Sequence, residues 1–200
     1  MNYIFNLLLQ LYTVFLKRKF NSFGKDSIIK PILNSYNEQY ISIGNNVNIG
    51  SFCRITVSTE FGGYKVKSKN KIRLKIGDYV DVGNNSFISA NNSIEIGEHV
   101  IMAPYVFITD HDHGFKNVNK HLHEQPLTEN GYTQIGNNVF IGTKSTILKN
   151  VKIGNHSVIG SNSVVTEDVP AYSVAAGNPA KIIKKYDYQL KKWKKYKNLI

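Results

Sequence analysis

From Ile43 onward the apolar positions recur neither every 3.6 residues, as along a helix face, nor every two, as along a half-buried strand, but every six. Hexads begin at Ile43, Ile49 and Ile55, at Ile76, Val82 and Ile88, at Ile96, Met102 and Ile108, and at Ile135, Ile141, Ile147, Ile153, Ile159 and Val165. The first position is always Ile, Val or Met, and the second is glycine in nine of the fifteen, so glycine-rich disorder is excluded: glycine keeps its place. Such a period predicts an all-β solenoid of parallel strands in which each hexad is a short strand and a bend. Three hexads close a coil, giving about five coils with the aliphatic residues stacked inside. Glycine and pairs such as Asn45-Asn46 and Asn137-Asn138 are expected to take the backbone angles of the corners.

Two stretches break the repeat. Residues 61–75, with Gly62-Gly63 and alternating lysine and apolar positions, read as a projecting hairpin, and residues 114–134 read as a long loop. Excursions of this length from a regular scaffold are usually functional, and the second follows directly on Asp110-His111-Asp112-His113.

The ends have a different pattern. Between Tyr3 and Leu16 only Asn6, Gln10 and Thr13 are polar, on one narrow helical stripe that Asn2 and Lys17 extend. This predicts a helix with a wide apolar arc, roughly 21 Å long and therefore short of the ~30 Å hydrocarbon core. It has neither the basic lead-in nor the small-residue cleavage site of a signal peptide. Two readings remain: a helix packed on the main domain or a sister subunit, or an in-plane membrane helix with Lys17, Arg18 and Lys19 at the headgroups. Residues 186–200 place Tyr186, Leu190, Trp193, Tyr196 and Ile200 on one helical face with lysines around the rest, which predicts a basic amphipathic helix that docks on the solenoid or meets anionic lipid or an anionic sugar carrier.

Charge sharpens this division. The chain carries +11, distributed as +4 over residues 1–30, zero over 31–180 and +7 over 181–200. A neutral middle argues against a nucleic-acid-reading surface and directs attention to an anionic membrane face or polyanionic ligand at the termini. With 42% hydrophobic and 20% charged residues the chain has the means to bury a core. Its one cysteine, Cys53, at a fifth hexad position, reads as buried filler; no His/Cys cluster suggests a metal, and a reducing compartment is expected.

The run Ile135-Gly136-Asn137-Asn138-Val139-Phe140-Ile141-Gly142, with Val151-Lys152-Ile153-Gly154, Val158 to Thr166 and Ala176-Gly177-Asn178-Pro179-Ala180-Lys181, resembles the hexapeptide-repeat acyltransferases, in particular their sugar O-acetyltransferase branch. The resemblance covers residues 41–185. It implies a left-handed parallel β-helix, a homotrimer with acetyl-CoA between subunits, and direct transfer to a saccharide acceptor. By the same resemblance His111 is the general base, backbone amides around Gly142-Thr143 face the oxyanion, and Asn91 contacts the acceptor; His113 is a candidate to position the sugar or to orient His111. Thr143, Ser161 and Thr166 line the cofactor channel, and Lys181 and Lys184 meet its phosphates. Phe140 stands where many relatives carry tryptophan and Glu167 where many carry lysine. N-acetylation of a nucleotide-linked amino sugar is the alternative reaction, and a non-catalytic binding module the alternative class. The expected organisation is a helix and linker over 1–40, the β-helix over 41–180 and the basic helix over 181–200, in the cytoplasm or peripheral at the inner membrane face.

Overall fold

The computed structural model describes residues 2–31 and 33–196. The hexads form the expected left-handed parallel β-helix, with three sheets as the faces of a prism. One coil runs through Leu74–Ile76 on the first face, Asp81–Val82 on the second and Phe87–Ala90 on the third. Each of these strands pairs in parallel with its counterpart one coil on, in a register that places Ile76 beside Ile96, Val82 beside Met102 and Ile88 beside Ile108. All fifteen first-position side chains are buried, so every coil contributes three apolar residues to one continuous interior. Cys53 is buried among them as filler, and burial pushes its thiol up.

One coil more than expected is present. Strands Ser22–Phe23, Ile28–Ile29 and Asn34–Tyr36 pair with the coil that begins at Ile41, bringing Phe23, Ile29 and Ser35 into register with Ile43, Ile49 and Ile55. The solenoid therefore starts at Ser22, inside the stretch expected to be linker. Helix α1 (Asn2–Lys17) closes this end, with Leu16 and then Phe20 joining the core.

The corners also differ from expectation. The left-handed angle falls at the fourth hexad position, held by Asn46, Asn85, Asn138, Asn150 and Asn162 but also by Phe52, Tyr79, Tyr105 and Lys144. The second-position glycines have no such angle. They are required because successive coils nearly touch there: a Cβ at Gly77 would lie 2.7 Å from the carbonyl oxygen of Gly97.

The expected hairpin is present as Glu60–Phe61 and Tyr64–Lys65, and residues 110–132 contain no strand. The C-terminal basic helix is not formed. Instead Ser173–Gly177 turns back into Ala180–Asp187, which pairs antiparallel with Lys192–Lys195, extending the second face. The expected boundary at 180/181 thus falls inside a strand. The last parallel strands leave an open sheet edge whose backbone groups need partners, and pairing on it outweighs the helical spacing of the aromatics. Tyr186 packs against Trp193 across the hairpin at 5.5 Å between ring centres. Asp187 fixes the turn, accepting the Leu190 N–H at 2.9 Å and meeting Lys194 Nζ at 2.6 Å. Ile200 of the expected helical face and Lys197 of its basic surround lie outside the described residues.

Candidate active site

His111 follows the third-face strand Phe107–Thr109, at the point where the chain leaves the solenoid. The preceding Asp110 has no exposed surface. Its Oδ1 accepts the Asn91 N–H at 2.8 Å, and its Oδ2 accepts the N–H groups of Asn92 and Ser93, both at 2.7 Å. The His111 Nδ1 stands 2.8 Å from the same Oδ1. With three backbone donors already directed at it, the carboxylate is the acceptor toward the ring as well, so the hydrogen sits on Nδ1 and Nε2 carries the lone pair. Nε2 has no hydrogen-bond partner among the described residues.

The long loop is clamped over this pair. Asp112 N–H donates to Thr128 Oγ1 at 2.9 Å, Thr128 N–H donates back to the Asp112 carbonyl, and Lys149 Nζ meets the Asp112 carboxylate at 2.6 Å. Gly131 brings the returning chain so close that a Cβ there would overlap the Asp110 carbonyl. Arg73, buried beneath, donates to the carbonyls of Ser58 and Asn91 and so braces the 91–93 turn.

His111 opens onto a groove of about 470 Å³ along the third face. Phe87 and Phe107 form its floor, 5.2 Å apart, and the Arg54 guanidinium lies 4.8 Å above the Phe87 ring. His113 is exposed at the rim, edge-on to Phe61 of the hairpin at 4.6 Å. Asn91 is placed differently from the expectation of an acceptor contact: it is 1% exposed, and its Nδ2 donates to the Thr128 carbonyl at 3.2 Å. His121 and His123 stack on each other at 5.8 Å within the loop. A larger groove of about 670 Å³ on the first face is lined by Glu95, Glu98 and Asp168 as well as Lys75 and Lys152, a poor lining for a polyanion. Among the described residues no three His, Cys, Asp or Glu side chains are grouped to hold a metal ion.

Residues 132–167 match the family described as bacterial transferase hexapeptide (six repeats). Over that stretch the coils resemble those of the hexapeptide-repeat family. A candidate lipopolysaccharide biosynthesis O-acetyl transferase of Escherichia coli, WbbJ, is 39% identical over 130 residues, 59% of this chain and 63% of that protein. The galactoside O-acetyltransferase of the same organism is 37% identical over 117 residues, 54% of this chain and 55% of that protein. The chain thus spans less than two thirds of the length of these curated relatives. Among solved structures, the Bacillus cereus N-acyltransferase AntD, in complex with dTDP and 3-hydroxybutyryl-CoA, superposes with a TM-score of 0.70 at 23% identity over 90% of each chain. At that identity the likeness shows the fold.

The remaining expected site residues lie on later coils and on the terminal hairpin. Gly142 and Ser161 are adjacent, a Cβ at the first falling 2.5 Å from the second's nitrogen, and Asn162 N–H donates to the Thr143 carbonyl. They line the corner between the second and third faces. Thr143 Oγ1 is engaged with the Pro104 carbonyl at 2.7 Å. Thr166 is exposed beyond the last third-face strand, and Lys184 is exposed on the terminal hairpin. Glu167, the departure noted in the sequence, stands 3.5 Å from Lys181 Nζ and so offsets one of the two expected cations. His111 and the Pro104–Thr143 corner lie on opposite edges of the third face, separated on the order of 20 Å by the extended run between them. Within one chain the two halves of the expected site do not meet.

The sequence left Asp110 in doubt and did not single out Arg54, Phe87 or Phe107. Asp110 and Asn91 are neighbours only because one coil separates them, a relation visible only after the hexads either side are aligned.

Proposed function

We propose that the chain is an acetyl-CoA-dependent O-acetyltransferase acting on a saccharide hydroxyl, with His111 as the general base. The observation that carries this reading is the buried Asp110 carboxylate on His111 Nδ1, which leaves the lone pair of Nε2 for the groove. An alcohol is a weak nucleophile at neutral pH and needs its proton removed as it attacks. Nε2 takes that proton while the hydroxyl oxygen bonds to the thioester carbonyl carbon; the carbon–sulfur bond then breaks and the proton passes from His111 to the departing thiolate. No covalent enzyme intermediate is involved. The faces of Phe87 and Phe107 suit the C–H face of a pyranose, and Arg54 lies where it would read an anionic group beside it.

Acetyl-CoA fits the Gly142–Ser161 corner, with Lys184 and the partly offset Lys181 toward its phosphates. Since this corner and His111 lie on opposite edges of one face, a neighbouring subunit supplies one half of each site, in a homotrimer. The names of two relatives support oxygen as the acceptor atom. A nucleotide-linked amino sugar is the second reading, favoured by the fold shared with AntD. Incubating the protein with acetyl-CoA and a panel of hydroxyl and amino sugars separates the two: an ester product is lost in mild base, whereas an amide survives. Absence of thiol release with every acceptor would overturn both and leave a binding module.

A further inference from the structure

Helix α1 docks on the first coil through its less apolar side. Thr13 is buried; its Oγ1 donates to the Ile29 carbonyl at 3.3 Å and accepts the Ile29 N–H at 3.1 Å. Tyr12 OH accepts the Leu33 N–H at 3.1 Å, and Leu9 and Leu16 complete the contact. The wide apolar arc therefore faces away from the protein. Leu7, Leu8, Leu11, Val14 and Phe15 are all exposed, Phe15 at 72%, and at 100° per residue they fill an arc of about 120° opposite Leu9 and Leu16. Lys17, Arg18 and Lys19 follow, exposed and without a carboxylate in contact among the described residues. A groove between α1 and the corner Phe23–Ile28 is lined by Lys17 and Lys25, with Asp26 as its one carboxylate.

We propose that this face of α1 seats the protein on an anionic bilayer, with the five apolar side chains at the acyl boundary and Lys17, Arg18, Lys19 and Lys25 among the headgroup phosphates. No described helix is long and apolar enough to cross a membrane, so the contact is in-plane. Charge selects lipid over a second copy of the chain as occupant. The cationic flank calls for an anionic surface, and the rest of the sequence carries no acidic excess: residues 31–180 balance twelve acidic against twelve basic residues and residues 181–200 carry +7. The C-terminal hairpin, whose lysines the sequence made a second membrane contact, lies eight strand positions from the first coil along the second face, roughly 38 Å away. The bilayer is therefore met at the N-terminal end alone, with the solenoid axis rising from it.

Sedimentation of the full chain with vesicles tests this independently of any catalytic role. Binding is expected to phosphatidylcholine vesicles containing about 30% phosphatidylglycerol, weakened at about 0.5 M salt and in vesicles of phosphatidylcholine alone. Leu11→Asp with Phe15→Asp, both at exposed positions, should lower the partition coefficient on the order of a hundredfold with thermal unfolding unchanged. Removing residues 186–200 should leave it unchanged. Wild-type protein staying in the supernatant with anionic vesicles at low salt would overturn the proposal. So would a double variant that sediments like wild type, or one whose measured effect is a smaller oligomer in solution with no loss of lipid binding, which would make the face a subunit contact.

Discussion

At the scale of single residues, four donors converge on the Asp110 carboxylate: three backbone N–H groups from Asn91, Asn92 and Ser93, and the ring of His111. Asp110 is thus a positioning residue with two duties, fixing the base and tying the turn of one coil to the strand of the next. Asp110→Asn should fail at both. Its amide would turn N–H groups toward backbone donors, costing about 1–3 kcal/mol of stability, and turnover should fall because the ring orientation is no longer enforced. Thermal unfolding and turnover of the same preparation measure the two effects. Phe107→Ala should raise KM for the acceptor while leaving KM for acetyl-CoA unchanged, since the ring floors the groove and lies away from the Gly142–Ser161 corner; a change confined to acetyl-CoA would move the acceptor elsewhere. His111 was singled out by the family resemblance, at the point where the hexads give way to the loop. Asp110 was not, since its partners come from a different coil.

At the scale of elements, the coil stack depends on close approach as much as on apolar burial. Gly77→Ala puts a methyl group against the backbone of Gly97, which cannot yield as a side chain would, and should cost about 1–3 kcal/mol, read as a lowered denaturant midpoint. The terminal hairpin depends on Asp187, whose carboxyl is held below its ordinary value by Lys194 and by the Leu190 N–H. A carboxylate depressed by folding contributes its stability above its ordinary value of 3.8 and loses it as pH falls through the lower folded value. Trp193, the only tryptophan, reports on this hairpin: its emission should shift to the red in acid below about pH 4, and Asp187→Asn should show the shifted spectrum already at neutral pH. The hexads were plain in the sequence because each of the fifteen places one aliphatic residue in a buried slot. The hairpin was not, because Tyr186, Leu190, Trp193 and Tyr196 recur at nearly helical spacing, and only the open sheet edge decides between the two conformations.

At the scale of the whole molecule, the charge excess sits at two ends of a rod whose middle is neutral, and the structure places those ends at opposite poles. The first coil escaped the hexad pattern because Phe23 and Ser35 occupy slots that Ile fills in the next coil. Two half-sites on opposite edges of one face call for a neighbour to complete them. Light scattering coupled to gel filtration should therefore give about 68 kDa, three times the 22.6 kDa chain; a fully active monomer would contradict the shared site.

The central claim is that His111 moves a proton during acetyl transfer, and His111→Ala tests it most directly, with turnover and acetyl-CoA affinity measured on the same protein. The account predicts turnover lowered by roughly 10²–10⁴ with acetyl-CoA affinity nearly unchanged. A variant that retains a tenth or more of wild-type turnover would contradict it, as would His113→Ala proving the more damaging of the two.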